Sequence, residues 1–420
     1  MSRIRLVLIS NRTEGAGAHR AIWRLFEALS SPYNSDWLEV RLRVATSSKA
    51  HIGVTQGFAK QPLSKRVIVQ IRFLIRKAYK FSYRLLGGQK LHSSGAIFTG
   101  LVRSIVETDT DIVLANWFGD YTDSIDELGK LGKPIILRNG DMWWFNGSDH
   151  FKSFPSHASA WALFLEKIYF GRRNRKILVR KRAALYPHVV ATVSPSAWMT
   201  QQAIDSNEMP GARHVTIPNP LDSTFWHPQD KQDSRESLGI GVDDFSIGFG
   251  AVGGAKDPRK GASVLFEALR RVSEGTQEKK ILRCDVFGEK ARIGRSKDGQ
   301  IFTHGYLCDE DLRSFYSAVD VFVVPSSLEG FPNTALEALA CGTPVIAFDF
   351  GPMPEYLIHR QTALLASPFS PDDLASQISY AFESPAWVKD AGERGLTWVR
   401  ENLNPEIISL QWKDFLTSLR

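Results

Sequence analysis

Short apolar runs alternate with stretches of helical spacing along most of the chain. Residues 5–10 form an apolar run that ends in a glycine-rich turn, Glu14-Gly15-Ala16-Gly17-Ala18. Over 18–29 the spacing becomes helical, with Ala21, Ile22, Leu25 and Leu29 on one face. Apolar runs at 111–115 and 134–137 predict two more buried strands. The pattern is clearer further on, with strands predicted at 245–251, 282–287, 320–325 and 344–349 and helices at 261–272, 310–318 and 334–340. Strand, turn, helix and strand in repetition predict parallel sheets covered by helices. Two such series predict an α/β chain of two doubly wound, Rossmann-like domains facing each other across a cleft. The joint is expected at Ile217-Pro218-Asn219-Pro220, where two prolines cannot continue a helix. The expected domains are 1–218 and 219–390, with a helical segment 391–420 packing back on the first. In such sheets ligands bind beyond the carboxyl ends of the strands.

The length of 420 residues fits two or three domains. A chain that is 43% hydrophobic and 23% charged is neither disordered nor fibrous. Three cysteines, Cys284, Cys308 and Cys341, are too few for a disulfide framework and lack zinc-ligand spacing. They are expected to be small buried hydrophobes in thiol form, which favours a cytoplasmic protein. Residues 4–10 run into Asn11-Arg12 with no small-residue cleavage site, so no signal peptide is expected. No apolar run approaches the ~20 residues of a membrane span.

Charge changes the picture because it is uneven. Residues 1–210 carry 30 Lys+Arg against 16 Asp+Glu, net +14, and residues 211–420 carry 22 against 29, net −7. Between Val40 and Val106 there are 13 bases, Arg41 and Arg43 among them, and no acid. A basic half joined to an acidic half implies a directed surface.

The strongest chemical signal runs from Pro325 through Glu329-Gly330-Phe331-Pro332-Asn333-Thr334 to Glu337 and Cys341-Gly342-Thr343-Pro344. A strand ends at Pro325, a loop holds Glu329, and a helix starts near Pro332, where proline is favourable. The free N–H groups of that helix start suit a diphosphate. Glu337, about one turn further in, can accept hydrogen bonds from the vicinal hydroxyls of a ribose, and Glu329 can reach a sugar beyond the diphosphate. A second signal, from Gly250 through Gly253-Gly254-Ala255-Lys256-Asp257-Pro258-Arg259-Lys260 to Gly261, joins a strand to its helix. Small residues there let the backbone approach a ligand, and Lys256, Arg259 and Lys260 can neutralise a diphosphate leaving group. The third is Arg138-Asn139-Gly140-Asp141-Met142-Trp143-Trp144-Phe145, continuing to His150, after a strand end in the first half. An Asp amid aromatics and amides suits carbohydrate, because sugars stack on rings and bond through hydroxyls; the alternative is a polar loop with a Trp anchor.

These residues resemble a family 4 retaining glycosyltransferase of GT-B architecture, especially the subgroup that builds bacterial surface polysaccharides such as lipopolysaccharide, capsule or exopolysaccharide. The likeness extends to the N-terminal glycine-rich loop with Arg20, Asn116-Trp117, Asp141-Met142-Trp143, Ser194-Pro195-Ser196-Ala197-Trp198 and Ile217-Pro218-Asn219-Pro220. Glu329 and Glu337 match the family's pair of glutamates separated by seven residues.

The resemblance implies that the first domain binds the acceptor and the second a UDP-sugar or GDP-sugar, with no metal. It implies that Glu337 binds the ribose and Glu329 the donor sugar. Phe331, Pro332, Asn333 and Thr334 would line the diphosphate and sugar, largely through backbone. Lys260 would hold the phosphates, Gly15, Ala16 and Gly17 would approach them from the other domain, and Asp141 would act at the sugar. Two departures stand out. Gly254 and Ala255 occupy the places where the family has an Arg before the Lys, so Lys256 or Arg259 must substitute. Gly140 stands where many relatives have His; His150 follows later in the loop with no role that the resemblance assigns. A nucleotide-sugar epimerase or a non-catalytic scaffold of the same architecture are the competing readings.

Arg72, Arg76, Lys80 and Arg84 recur every four residues beside Phe73 and Phe81, and residues 167–182 add Arg172, Arg173, Arg175, Lys176, Arg180, Lys181 and Arg182. Bases beside aromatics on a helix imply an element lying on anionic lipid, against the alternative of a solvated helix face. A lipid-linked saccharide acceptor and a peripheral position on the inner face of the cytoplasmic membrane fit that reading. Nucleic acid is not expected, since no nucleic-acid motif accompanies the charge. Flotation with liposomes should show binding that depends on anionic lipid; equal flotation without it removes the membrane reading.

Overall fold

The computed structural model describes residues 3–12, 17–46, 54–56, 102, 109–117, 124–151, 164, 167, 171–250, 257–275, 282–288, 294–295 and 301–420. Gly15, Ala16, Lys256 and the basic stretch at 65–86 lie outside them. The chain divides into two units, Met1–Asn219 with Ser409–Arg420, and Pro220–Ile408. Each is built on its own α/β sheet, as the alternation of strand and helix patterns predicts.

The first unit's sheet comprises β1 (Ile4–Arg12), β2 (Leu38–Thr46), β3 (Val54–Gln56), β4 (Ile112–Ala115), β5 (Ile135–Arg138), β6 (Val189–Ser194) and β7 (Arg213–Thr216). Their order is β3-β2-β1-β4-β5-β6-β7, with every pairing parallel. All of β4 and β5 and most of β1 are buried, which is why they read as unbroken apolar runs. The first helix, Gly17–Leu29, buries its expected face of Ala21, Ile22, Leu25 and Leu29. Strand β2 alternates apolar Leu38, Val40, Leu42 and Val44 with charged Glu39, Arg41 and Arg43, a half-buried pattern hidden among the bases that follow. Arg43 lies between buried Leu42 and Val44 where β2 is paired on both sides, and Arg41 keeps partial exposure beside Glu39. The end of the chain is tied into this unit: Ser409 Oγ donates to the Ala28 carbonyl at 3.2 Å, and buried Arg138 faces the Trp412 ring at 5.6 Å. The return to the first unit thus falls at Ser409, inside the helix Pro405–Thr417, whereas the pattern placed it at 391.

The second sheet contains β8 (Phe245–Gly250), β9 (Leu282–Phe287), β10 (Gly294–Arg295), β11 (Ile301–Thr303), β12 (Val321–Val324), β13 (Val345–Phe348) and β14 (Ala363–Ala366). The order is β10-β11-β9-β8-β12-β13-β14, parallel except for the short edge strand β10. In both sheets the chain starts in the middle, builds outward one way, then crosses back. The crossing leaves a switch point between β1 and β4 in one unit and between β8 and β12 in the other, where doubly wound folds bind ligands. Among the described residues, no helix is long and apolar enough to cross a membrane.

Two features shape the packing of the second unit. Asp285 and Arg283 share one face of β9 and form a bidentate pair (Nε to Oδ2 2.9 Å, NH2 to Oδ1 2.6 Å), with exposures of 0% and 3%. His304 and Ser246 complete the shell of the carboxylate, each at 2.7 Å. Burial alone would raise the Asp285 carboxyl, but hydrogen bonds from His304, Arg283 and Ser246 outweigh it and hold the group below 3.8. The second feature is the helix Pro385–Asn402, which lies against the helix Asn333–Ala340. A Cβ on Gly392 would stand 2.1 Å from the Gly342 carbonyl oxygen, so the close approach requires glycine there.

The cysteines divide. Cys284 and Cys341 are buried as expected, and burial pushes both thiols up. Cys308 is exposed, contrary to expectation, and caps the helix Asp309–Ala318 by accepting from the Asp311 N–H.

Asp285→Asn should cost about 3–5 kcal/mol at neutral pH, because it removes the bidentate carboxylate of buried Arg283 and leaves only Asp244, at 3.4 Å, to face it. A depressed folded-state pKa contributes stability that is present above the unfolded value near 3.8 and lost as pH falls through the folded value. The gap in Tm between the variant and wild type should therefore be wide at pH 7 and close below that range. Gly392→Ala should lower stability by about 1–3 kcal/mol through overpacking, read from denaturant midpoints.

Candidate functional site

In the second unit the loops after β8 and β12 meet at the switch point. Pro258–Lys260 forms a single 3-10 turn, and Gly261 follows with a positive φ of 73°. A Cβ at Gly261 would lie 1.9 Å from the Pro325 carbonyl oxygen, so the backbones touch where a side chain would stand. The Ser327 N–H donates to the Arg259 carbonyl at 2.8 Å and fastens the loops together. Across that seam the Lys260 ammonium meets Glu329 Oε1 at 2.5 Å. Both side chains keep some exposure, 24% and 16%.

Arg259 faces a different acid. Its guanidinium forks onto Asp257, at 3.0 and 2.5 Å. Burial would raise the Asp257 carboxyl, yet the hydrogen bonds and charge of Arg259 dominate and hold it low. Beyond Glu329 the helix Asn333–Ala340 begins at Pro332, which offers no side-chain cap to its first N–H groups. The ring of Phe331 turns inward onto Tyr356, with centroids 4.9 Å apart, so this residue presents backbone to the loop. Glu337 is fully buried, and its Oε2 accepts from the Tyr316 hydroxyl at 3.0 Å. Lys260 and Glu329 are thus brought together, with Asn333 and Thr334 at the following helix start, while Glu337 lies beneath the surface.

In the first unit Asp141 follows β5. Its Oδ1 accepts from the Trp143 N–H at 2.9 Å, capping the turn Met142–Trp144, and its Oδ2 meets His150 Nδ1 at 2.5 Å. The Met142 N–H donates to the His150 carbonyl at 2.9 Å, closing the loop on itself. Trp117, just after β4, lies between the rings of His150 (5.4 Å) and His19 (5.8 Å). His19 belongs to the helix that Gly17 begins. The residues thus flank the β1/β4 switch point.

The aromatic residues of this loop do not serve as a sugar platform. Trp143, Trp144 and Phe145 are at most 2% exposed, and the Tyr186 hydroxyl and the Lys181 ammonium bind the carbonyls among them. They anchor the loop. The basic helix Arg172–Ala184 is also partly internal. Lys181 is fully buried, and burial pushes its ammonium well below the usual lysine value. Arg180 pairs with Asp126 and Arg182 with Glu208, so three bases of that stretch are engaged within the unit. The sequence pattern gives no signal for His19, leaves His150 without a role, and places Lys181 with the surface bases, whereas the structure buries it. The spacing from Asp141 to His150 had no regular period to mark it.

Residues 247–384 match the family model of the glycosyl transferases group 1. Curated relatives include D-inositol 3-phosphate glycosyltransferase of Segniliparus rotundus, 28% identical over 43% of this chain and 41% of the relative. O-antigen chain mannosyltransferase B of Escherichia coli is 30% identical over 35% of this chain and 40% of its own. The chain thus spans less than half the length of these relatives. Among solved structures, HepE of Anabaena with bound UDP and glucose aligns over 99% of this chain and 100% of its own, with TM-score 0.67 and 16% identity. Sucrose-phosphate synthase of Thermosynechococcus elongatus aligns over 99% of both chains, with TM-score 0.64 and 20% identity. The chain therefore has the GT-B fold, and residues 247–384 of its second unit are similar to the glycosyl transferases group 1.

Proposed function

We propose that this protein is a retaining glycosyltransferase that moves a sugar from a UDP-sugar or GDP-sugar to a saccharide or lipid-linked saccharide acceptor. The observation that carries the reading is the Lys260–Glu329 pair at the β8/β12 switch point, next to an uncapped helix start. A cation, a carboxylate and a helix N-terminus are the set a sugar diphosphate needs: charge for the phosphates, acceptors for the sugar hydroxyls, and a dipole for the anion. HepE, which binds UDP and glucose, supports a nucleotide-sugar donor by fold alone. The mannosyltransferase of O-antigen chains supports a place in bacterial surface-polysaccharide synthesis.

In this mechanism the bond from the sugar's anomeric carbon to the diphosphate breaks, and the acceptor oxygen bonds to that carbon on the same face. The acceptor's proton passes to the departing phosphate oxygen. Lys260 and the helix start stabilise the leaving charge, and Glu329 orients the donor sugar. Glu337 reaches a ribose only after the groups that cover it shift. The protein acts without a resident metal and works as a peripheral enzyme on the cytoplasmic side of the membrane, held there by the basic stretch at 65–86.

A panel of nucleotide sugars tested by thermal shift should yield one donor that raises Tm. Ligand at 100 times its Kd contributes about 2.7 kcal/mol. With that donor, Lys260→Ala and Glu329→Ala should each lower kcat by about 10²–10³-fold while both variants stay folded. Wild-type turnover in either purified variant would overturn the assignment.

A further inference from the structure

We propose that Asp141 meets a hydroxyl of the sugar acceptor, and that His150 and Lys181 are the positioning residues that aim its carboxylate. This rests on the glycosyl-transfer reading and extends it to the partners that hold Asp141. Asp141 is the accessible member of the group: its side chain is 18% exposed, against 5% for His150, and Lys181 is fully buried. Its two oxygens are each fixed by one donor, Oδ1 by the Trp143 N–H and Oδ2 by His150 Nδ1. An ionised carboxylate has about four acceptor sites, so capacity remains on the exposed side for hydroxyl donors.

The two positioning residues act on opposite ends of the same short turn. Lys181 Nζ donates to the Trp143 and Gly147 carbonyls, the latter at 2.7 Å, and sits 3.5 Å from the centroid of the Trp143 ring. Trp143 is therefore held by its carbonyl and its ring, while its N–H holds Asp141. His150 closes the far side of the loop through its backbone carbonyl as well as its imidazole. Trp117 packs on that imidazole and Tyr186 secures the Trp144 carbonyl at 2.6 Å. A buried lysine that binds two carbonyls of one loop fixes that loop's shape. Gly140 supplies no imidazole here; the ring comes from His150 and reaches Asp141 through the fold.

The full-length chain provides the test, with UDP-glucose and GDP-mannose as donor probes and methyl α-mannoside and methyl α-glucoside as acceptor probes. Asparagine places its amide near the position of a histidine Nδ1, whereas glutamine places it near Nε2. His150→Asn should therefore keep transfer close to wild type. His150→Gln and Asp141→Asn should lower kcat/KM for the acceptor by about 10²-fold, the cost of losing orientation. The donor KM and donor-induced Tm shift should stay unchanged in all three. Lys181→Met should show the same split; if it does not fold, the two His150 variants still decide. Equal activity of His150→Gln and wild type overturns the inference. Equal loss in His150→Asn and His150→Gln also overturns it, since a donor restored at the Nδ1 position would then fail to recover the orientation of Asp141. Wild type with no transfer from either donor overturns the glycosyl-transfer reading, and this inference with it.

Discussion

The carbonyl of Pro325 occupies the space that a side chain on residue 261 would fill. That one approach governs the second unit's site. It lets the turn after β8 and the loop after β12 lie backbone to backbone, and the Ser327 N–H then locks them together. Lys260 and Glu329 face each other as a consequence, although 69 positions separate them. A bulkier residue at 261 would lift the turn, and the cation would leave its carboxylate. The glycine after the lysine is a steric requirement of the site.

Both units handle buried charge in the same way. Asp285 is tolerated at zero exposure because three side chains donate to it. Lys181 is tolerated because two carbonyls and an aromatic face receive it. Removing an ion from water costs several kcal/mol unless its whole shell is replaced. In the first unit the replacement shell is the loop that carries Asp141, so solvating the lysine and shaping the loop are one event. This also explains why the basic helix Arg172–Ala184 does not present all its charge to solvent: Arg180, Lys181 and Arg182 have partners within the unit.

Legibility in the sequence followed burial. Strands buried on both faces, such as β4 and most of β5, leave apolar runs, and their positions are readable to within a residue or two. Strand β2 was not, because Arg41 and Arg43 lie along it and resemble surface charge when read in one dimension. The glutamate motif and the Lys-Gly turn were readable because loop chemistry at a strand end is written in consecutive residues. His150 was not, because a loop brings it back to Asp141 with no periodicity. Trp143 and Trp144 fit either a sugar platform or an anchor by sequence; their placement under Lys181 and Tyr186 makes them the anchor.

The sequence by itself determined the class of fold, the order of most strands and helices, and the residues that can carry phosphate and sugar chemistry. These are local properties, set by periodicity, by turn residues and by the side-chain types near each strand end. Tertiary structure alone decided which of those residues meet. It paired Lys260 with Glu329 and Arg259 with Asp257, covered Glu337, and drew His150 onto Asp141. The reason is that crossovers in a parallel sheet bring distant strand ends together, and charge in a packed interior keeps its place only where the fold delivers its partners.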